Sequence, residues 1–275
     1  MDLKECLQQA INAHASDVFI IAGLPVSLRK NNIISQFTEE RLLPADTENI
    51  LADIYQYAGN RDMKRLHETG DDDFSFAIKG ISRFRVSAYK QRGSLSAVIR
   101  IITFDLPNPH VLHIPDYVLR LGEGGKGMVL VTGPAGSGKS TTLAAIIDKV
   151  NEYRDAHVIT LEDPLEYLHR HIQSVVSQRE INVDTENYVS ALRAALRQSP
   201  DVILLGEMRD YETIEVAMTA AETGHLLLST LHTIGAANTI DRIIDVFPAN
   251  QQKQIGVQLS TVLNAVVSQQ LVPTV

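Results

Sequence analysis

Apolar positions Leu3, Leu7, Ala10 and Ile11 repeat with the period of one helix face, which predicts a helix over 2–15. The apolar run from Val18 to Ile21 predicts a strand over 17–21, and 22–25 reads as a turn. Residues 26–29 and 33–34 are expected as two strand pieces joined through Asn31-Asn32. Helices are predicted over 46–58 and 60–69. From Asp72 the pattern changes to the two-residue alternation of a strand through Phe74, Phe76 and Ile78, and 82–100 reads as two adjacent strands. This mixed order of helices and strands predicts a small N-terminal α+β domain. Two prolines in three residues, Pro107 and Pro109, then break every periodicity. The expected organisation is a first domain over 1–103, a linker over 104–116 and a second domain over 117–275.

The second domain has a different grammar. Short, wholly apolar strands are predicted at 128–132, 157–161, 202–205 and 226–230, separated by helices at 141–151, 187–198 and 211–222. Strands of this kind belong to a parallel sheet covered on both faces, where ligands sit beyond the C-terminal strand ends. Functional residues are therefore expected immediately after strands. Two further helices are predicted, at 236–246 and 250–270. The second would be long and amphipathic through Ile255, Leu259, Val262, Leu263, Val266 and Val267, a face suited to core or to a subunit interface.

Composition narrows the classes. The chain has 275 residues, 44% of them hydrophobic, which suffices for two domains with their own cores. Its formal charge of −8 is spread along the chain with no basic arm, which argues against a nucleic-acid motor. The single cysteine, Cys6, cannot form an internal disulfide. No signal peptide and no apolar run long enough to span a membrane is present, so a soluble cytoplasmic protein is expected.

The strongest chemical signal is Gly133-Pro134-Ala135-Gly136-Ser137-Gly138-Lys139-Ser140, with Thr141 following. It matches the phosphate-binding loop G-x-x-x-x-G-K-[ST] and has a predicted strand before it and a predicted helix after it. Its glycines let successive N–H groups turn toward phosphate oxygens, Lys139 neutralises the β- and γ-phosphates, and Ser140 offers its hydroxyl to Mg²⁺. After the next strand come Glu162, Asp163 and Glu166, and after 202–205 comes Glu207 in Gly206-Glu207-Met208-Arg209-Asp210. A carboxylate at such a strand end orients the attacking water or holds the metal. Glu207 is assigned as the base, and Asp163 is the candidate metal ligand beside Ser140. His232 falls just past the last strand, either as a structural histidine or as a γ-phosphate sensor. No C-x-x-C or H-x-x-x-H spacing supports zinc. Arg83, Arg85, Arg92 and Arg100 gather in the first domain, either as a solvated strand face or as guanidinium groups that reach phosphates.

Taken in order, these segments resemble one family, the hexameric secretion ATPases, and within it the PilT-like motors that retract type IV pili. Residues 133–140 resemble its Walker A loop, 159–167 its Asp box, 206–210 its Walker B segment and 225–232 its His box. The Walker B segment departs from the usual form, because Glu207 stands where an Asp normally closes the strand. The resemblance implies a PAS-like N-terminal domain and a RecA-like ATPase domain assembled into a homohexamer that uses ATP and Mg²⁺. It also implies Glu207 as general base, Glu162 and Glu166 as Asp-box acids, His232 as γ-phosphate sensor, and Arg85, Arg92 and Arg100 completing the nucleotide site. The implied partners are an inner-membrane platform protein and, through it, pilin, with the motor at the cytoplasmic face of the membrane. A lone cysteine in place of a four-cysteine zinc insert favours retraction over pilus extension or type II secretion. An accessory nucleotide-binding subunit is the remaining alternative. Family members continue for several tens of residues beyond position 275, so a shortened chain with impaired ring assembly is expected.

Overall fold

The N-terminal unit is built on hairpins whose turns are written into the sequence. In this computed structural model, which describes residues 2–102, 104 and 106–272, the chain divides into two compact units, Met1–Thr103 and Phe104–Val275. Asp105 of the expected linker lies outside the described residues, as do Met1, Thr103 and residues 273–275 at the ends of the expected domains. Helix α1 (Leu3–Asn12) starts where the Asp2 carboxylate accepts from the Lys4 N–H at 2.8 Å, and it buries Leu3, Cys6, Leu7 and Ala10. Strands β1 (Asp17–Ile20), β2 (Pro25–Lys30) and β3 (Ile33–Arg41) follow, then helices α2 (Pro44–Tyr57) and α3 (Lys64–Thr69). Strands β4 (Asp71–Ile78), β5 (Ser82–Gln91) and β6 (Ser94–Ile102) complete an antiparallel sheet of order β3-β2-β1-β6-β5-β4. The connections Asn31-Asn32 (φ +50 and +62) and Arg92-Gly93 (φ +49 and +81) have the two left-handed residues that a tight hairpin matched to strand twist requires.

The second unit opens with α4 (Asp116–Leu119) and a 3₁₀ turn at Arg120–Glu123. It continues through β7 (Gly127–Thr132), α5 (Lys139–Tyr153), β8 (His157–Glu162), β9 (Val175–Glu180), α6 (Tyr188–Ala195), β10 (Val202–Leu205), α7 (Tyr211–Glu222), β11 (Leu226–Leu231), α8 (Ala236–Asp245), α9 (Ala249–Val262) and β12 (Leu263–Ser268). All pairings are parallel, in the order β12-β7-β11-β10-β8-β9. Every residue of β7, β10 and β11 is buried, which is why these strands read as unbroken apolar runs.

Strand β3 runs beyond the expected 33–34 to Arg41, α3 begins at Lys64 rather than 60, α4 was not expected, and two further differences lie in the second unit's sheet. The helix predicted over 250–270 ends at Val262, and Leu263–Ser268 instead forms edge strand β12 beside β7. Ile255, Leu259 and Val262 are buried by the helical part as the pattern suggested. Beyond them, Val266 and Val267 are β-branched and weak helix formers, and the unpaired N–H and C=O groups along β7 offer them a ladder. Strand β9 was not anticipated, because its Ser177, Gln178 and Arg179 lack the apolar signature of the inner strands.

Strand β4 carries one exception to its apolar buried face. Asp72 takes the position in the alternation that Phe74, Phe76 and Ile78 continue, and it is buried with them. Its carboxylate is satisfied by Arg61, with Nε and Nη2 donating at 2.9 Å each, and by the Tyr55 hydroxyl at 3.0 Å. Burial alone would push the Asp72 carboxyl up. The hydrogen bonds from Arg61 and Tyr55 and the charges of Arg61 and Arg65 outweigh it and hold the group below its ordinary value. A depressed carboxyl contributes stability that is complete above the unfolded value of about 3.9 and disappears as pH falls through the native value. Asp72→Ala leaves the tyrosine hydroxyl and guanidinium without their acceptor and is expected to cost about 3 kcal/mol at pH 7. The difference from the unmutated chain should shrink in urea titrations at progressively lower pH.

Candidate active site

The C-terminal ends of β7, β8, β10 and β11 meet along one edge of the parallel sheet, and a segment with polar groups follows each. After β7 the chain turns through Gly133 (φ +147), Gly136 (φ +77) and Gly138 (φ +85) into α5. Residues bearing a Cβ rarely adopt these conformations. Pro134, Ala135 and Gly136 are exposed and Ser137 is buried. The first N–H groups of α5 have no partners one turn earlier in the helix, and the positive end of its dipole lies behind them. Lys139 is 8% exposed, and its Nζ donates to the carbonyls of Gly133 at 3.0 Å and Pro134 at 2.9 Å, lying across the loop. Burial lowers the Lys139 pKa, and the negative charge of Glu207 opposes that shift. Ser140 is exposed at the rim, and the Thr141 hydroxyl shares a 3.0 Å hydrogen bond with the Tyr167 hydroxyl. Left-handed glycines, a helix N-terminus and a lysine within reach suit a phosphate chain, and the Ser140 hydroxyl suits one oxygen ligand of Mg²⁺.

Glu207, at the end of β10, is 16% exposed at its side chain. Its Oε2 lies 2.7 Å from Arg209 Nε and 3.6 Å from His232 Nε2, the latter reaching over from the end of β11. These groups line a cleft of about 370 Å³ together with Thr230 and Arg242. Glu162, at the end of β8, borders a smaller cavity of about 30 Å³ with Ser140, Tyr167, His169 and Thr230, room for about one water. Enclosure pushes the Glu162 carboxyl above its ordinary value, against the opposing effects of the Thr160 hydroxyl, the His169 ring, the Glu166 N–H and the Gln178 amide.

The structure thus brings residues 133–141, Glu162, Glu207 and His232 to one sheet edge. Asp163 and Glu166 have exposed side chains beside β8, and Glu166 turns its N–H rather than its carboxylate toward Glu162. Arg85, Arg92 and Arg100 belong to the N-terminal unit. Arg85 and Arg100 are direct cross-strand neighbours, and Arg92 occupies the hairpin turn between their strands. Like charges opposite one another repel, and Arg100 is offset by a 3.1 Å contact from its Nε to the buried Asp17 carboxylate.

Sequence reasoning missed several residues here. Arg209 stood inside a motif but was given no role. Tyr188, at the start of α6, places its hydroxyl 2.9 Å from where a Cβ on Gly206 would lie. Burial raises its pKa, and the charges of Glu207, Asp163 and Glu162 raise it further, so the phenol stays protonated among three carboxylates. His169 and Gln269 carry no local signal at all.

The family model described as Type II/IV secretion system protein matches residues 1–275. The chain is 43% identical over 272 residues to the type IV pilus retraction ATPase PilT of Pseudomonas aeruginosa, covering 99% of this chain and 78% of that one. It is 40% identical over 274 residues to the type IV pilus ATPase PilU of the same organism, covering 100% and 71%. A crystal structure of the pilus retraction motor PilT with bound ADP superposes with a TM-score of 0.90 at 46% identity, covering 99% of this chain and 78% of the other.

The loop geometry is testable through Gly133. A Cβ there would lie 2.1 Å from the Gln269 carbonyl oxygen and 2.8 Å from Ser137 Oγ. Gly133→Ala is expected to destabilise the second unit by about 3 kcal/mol, seen as a thermal midpoint lower by about 6–12 °C, with loss of nucleotide binding.

Proposed function

Because the chain belongs to the type II/IV secretion system protein family, we propose that it is an ATP-hydrolysing motor that drives type IV pilus retraction. The observation that carries the reading is Glu207, held between Arg209 and His232 in the electrostatic field of the loop lysine Lys139. Identity to PilT along 99% of the chain supports retraction as the task.

In this reading the N–H groups of residues 136–141 bind the β- and γ-phosphates. Lys139 Nζ exchanges the carbonyls of Gly133 and Pro134 for phosphate oxygens. Ser140, with Asp163 as the second candidate ligand, would hold Mg²⁺, which supplies charge neutralisation on the phosphates. Glu207 orients the attacking water. Its Oε2 is engaged by Arg209 and His232, so Oε1 is the oxygen that takes the proton. Glu162 and Glu166 frame the metal and water side, Tyr188 donates among the carboxylates, and His232 reports on the γ-phosphate from the end of β11. Six copies assemble into a ring, with Arg85, Arg92 and Arg100 completing the nucleotide site. Domain movement during turnover acts on an inner-membrane platform protein and through it on pilin. The ring works at the cytoplasmic face of the membrane, and among the described residues no helix is long and apolar enough to cross a bilayer.

ATP hydrolysis by the purified chain, read beside its mass in solution, tests the proposal. Glu207→Ala is expected to lower kcat by about 10²–10³-fold while nucleotide still binds, and Lys139→Ala is expected to weaken binding itself. Undiminished turnover in Glu207→Ala would remove that residue as the base. Binding without turnover in the unmutated chain would favour an accessory subunit over a motor.

A further inference from the structure

The phosphate-binding loop is held from behind by a residue that lies far from it in sequence. Directly after β12, the Gln269 N–H donates to the Thr132 carbonyl at 2.7 Å. Its side-chain Nε2 donates to the Ser137 carbonyl at 2.6 Å, and its Oε1 accepts from the Thr142 hydroxyl at 2.8 Å. Its own carbonyl oxygen fills the space a Cβ on Gly133 would need, and its Nε2 lies 2.9 Å from the corresponding point on Gly138. One residue therefore touches the loop's entry, its interior and the first turn of α5.

We propose that Gln269 is the positioning residue that sets the conformation of the phosphate-binding loop and couples it to β12. The proposal rests on the reading of that loop as a nucleotide site. The Ser137–Gly138 peptide is trans, so its C=O and N–H point in opposite directions from one plane. Drawing the Ser137 carbonyl toward Gln269 turns the Gly138 N–H to the other side of the loop, the side presented to phosphate. The task needs a donor and an acceptor at the end of the same side chain, at this reach from the edge strand. Glutamine provides both, asparagine is one methylene short, glutamate lacks the donor and methionine lacks both groups. The opposite end of β12 is attached independently, with Asn264 Nδ2 donating to the Lys126 carbonyl at 2.8 Å. Loss of that bond loosens the strand without touching the loop.

The test is titration of the full chain with a fluorescent ADP analogue, alongside thermal midpoints measured without nucleotide. Gln269→Met keeps the volume and removes both amide bonds. It is expected to raise Kd about tenfold, while Asn264→Ala lowers the thermal midpoint and leaves Kd within twofold. Equal Kd for Gln269→Met and the unmutated chain overturns the proposal. So does an equal rise in Gln269→Met and Asn264→Ala, which would assign the effect to strand docking in general. If the unmutated chain binds no ADP, the nucleotide reading fails and the proposal with it. Hydrogen exchange needs no substitution: ADP is expected to slow exchange of the Gln269 N–H at least fivefold with little change at Asn264. An unchanged Gln269 rate overturns the coupling.

Discussion

The site depends on how closely two backbones approach at the ends of β7. A Cβ on Gly127 would meet the Val262 carbonyl at 2.7 Å, and one on Gly133 would meet the Gln269 carbonyl at 2.1 Å. Glycine at both positions lets β12 lie against β7 along its length, while β11 pairs on the other side. With both edges occupied, β7 is wholly buried, and the loop leaving it departs from a fixed point. The amides of the glycine loop inherit their geometry from that point, and so does the separation of Lys139 from the carboxylate after β10.

Three low-exposure carboxylates show how environment divides one chemistry into separate roles. Asp72 is buried but satisfied by a guanidinium and a hydroxyl, so it stays ionised and ties α2 and the following segment to β4. Glu162 is enclosed without a full countercharge, and its proton is held more tightly than usual. Glu207 has one oxygen engaged by Arg209 and His232. The first is structural. The other two sit where strand ends converge, and a carboxylate with a perturbed or partly engaged charge in a cleft marks a candidate functional site.

The two units stabilise themselves by different means. The antiparallel sheet alternates buried and exposed positions and relies on tight left-handed turns, one of which places Arg92 at a hairpin tip. The inner strands of the parallel sheet are buried on both faces and leave the chemistry to the connections. Ser229 and Thr230 on β11 find internal partners, donating to the carbonyls of Leu205 and Gly206 at 2.7 Å each. These bonds fix the β10 exit that carries Glu207.

Local pattern alone determined the glycine-rich loop at 133–138 between a strand and a helix, because its glycines take backbone conformations that other residues rarely adopt. It also determined the inner parallel strands, whose burial on both faces leaves no room for polar alternation. Placing Glu162, Glu207 and His232 after strands followed from the same rule. What the sequence left open was settled by distant groups. The apolar spacing through Leu263, Val266 and Val267 is compatible with a helix, and only the exposed ladder of β7 makes it a strand. Gln269 gains its position from that choice, since a helix continued to residue 270 would have carried it away from the loop. Arg209, though largely exposed, sets its Nε against Glu207, and Tyr188 reaches Gly206 from helix α6. Periodicity reports which face of an element is buried, whereas the partner across the gap is chosen by packing between segments far apart in the chain.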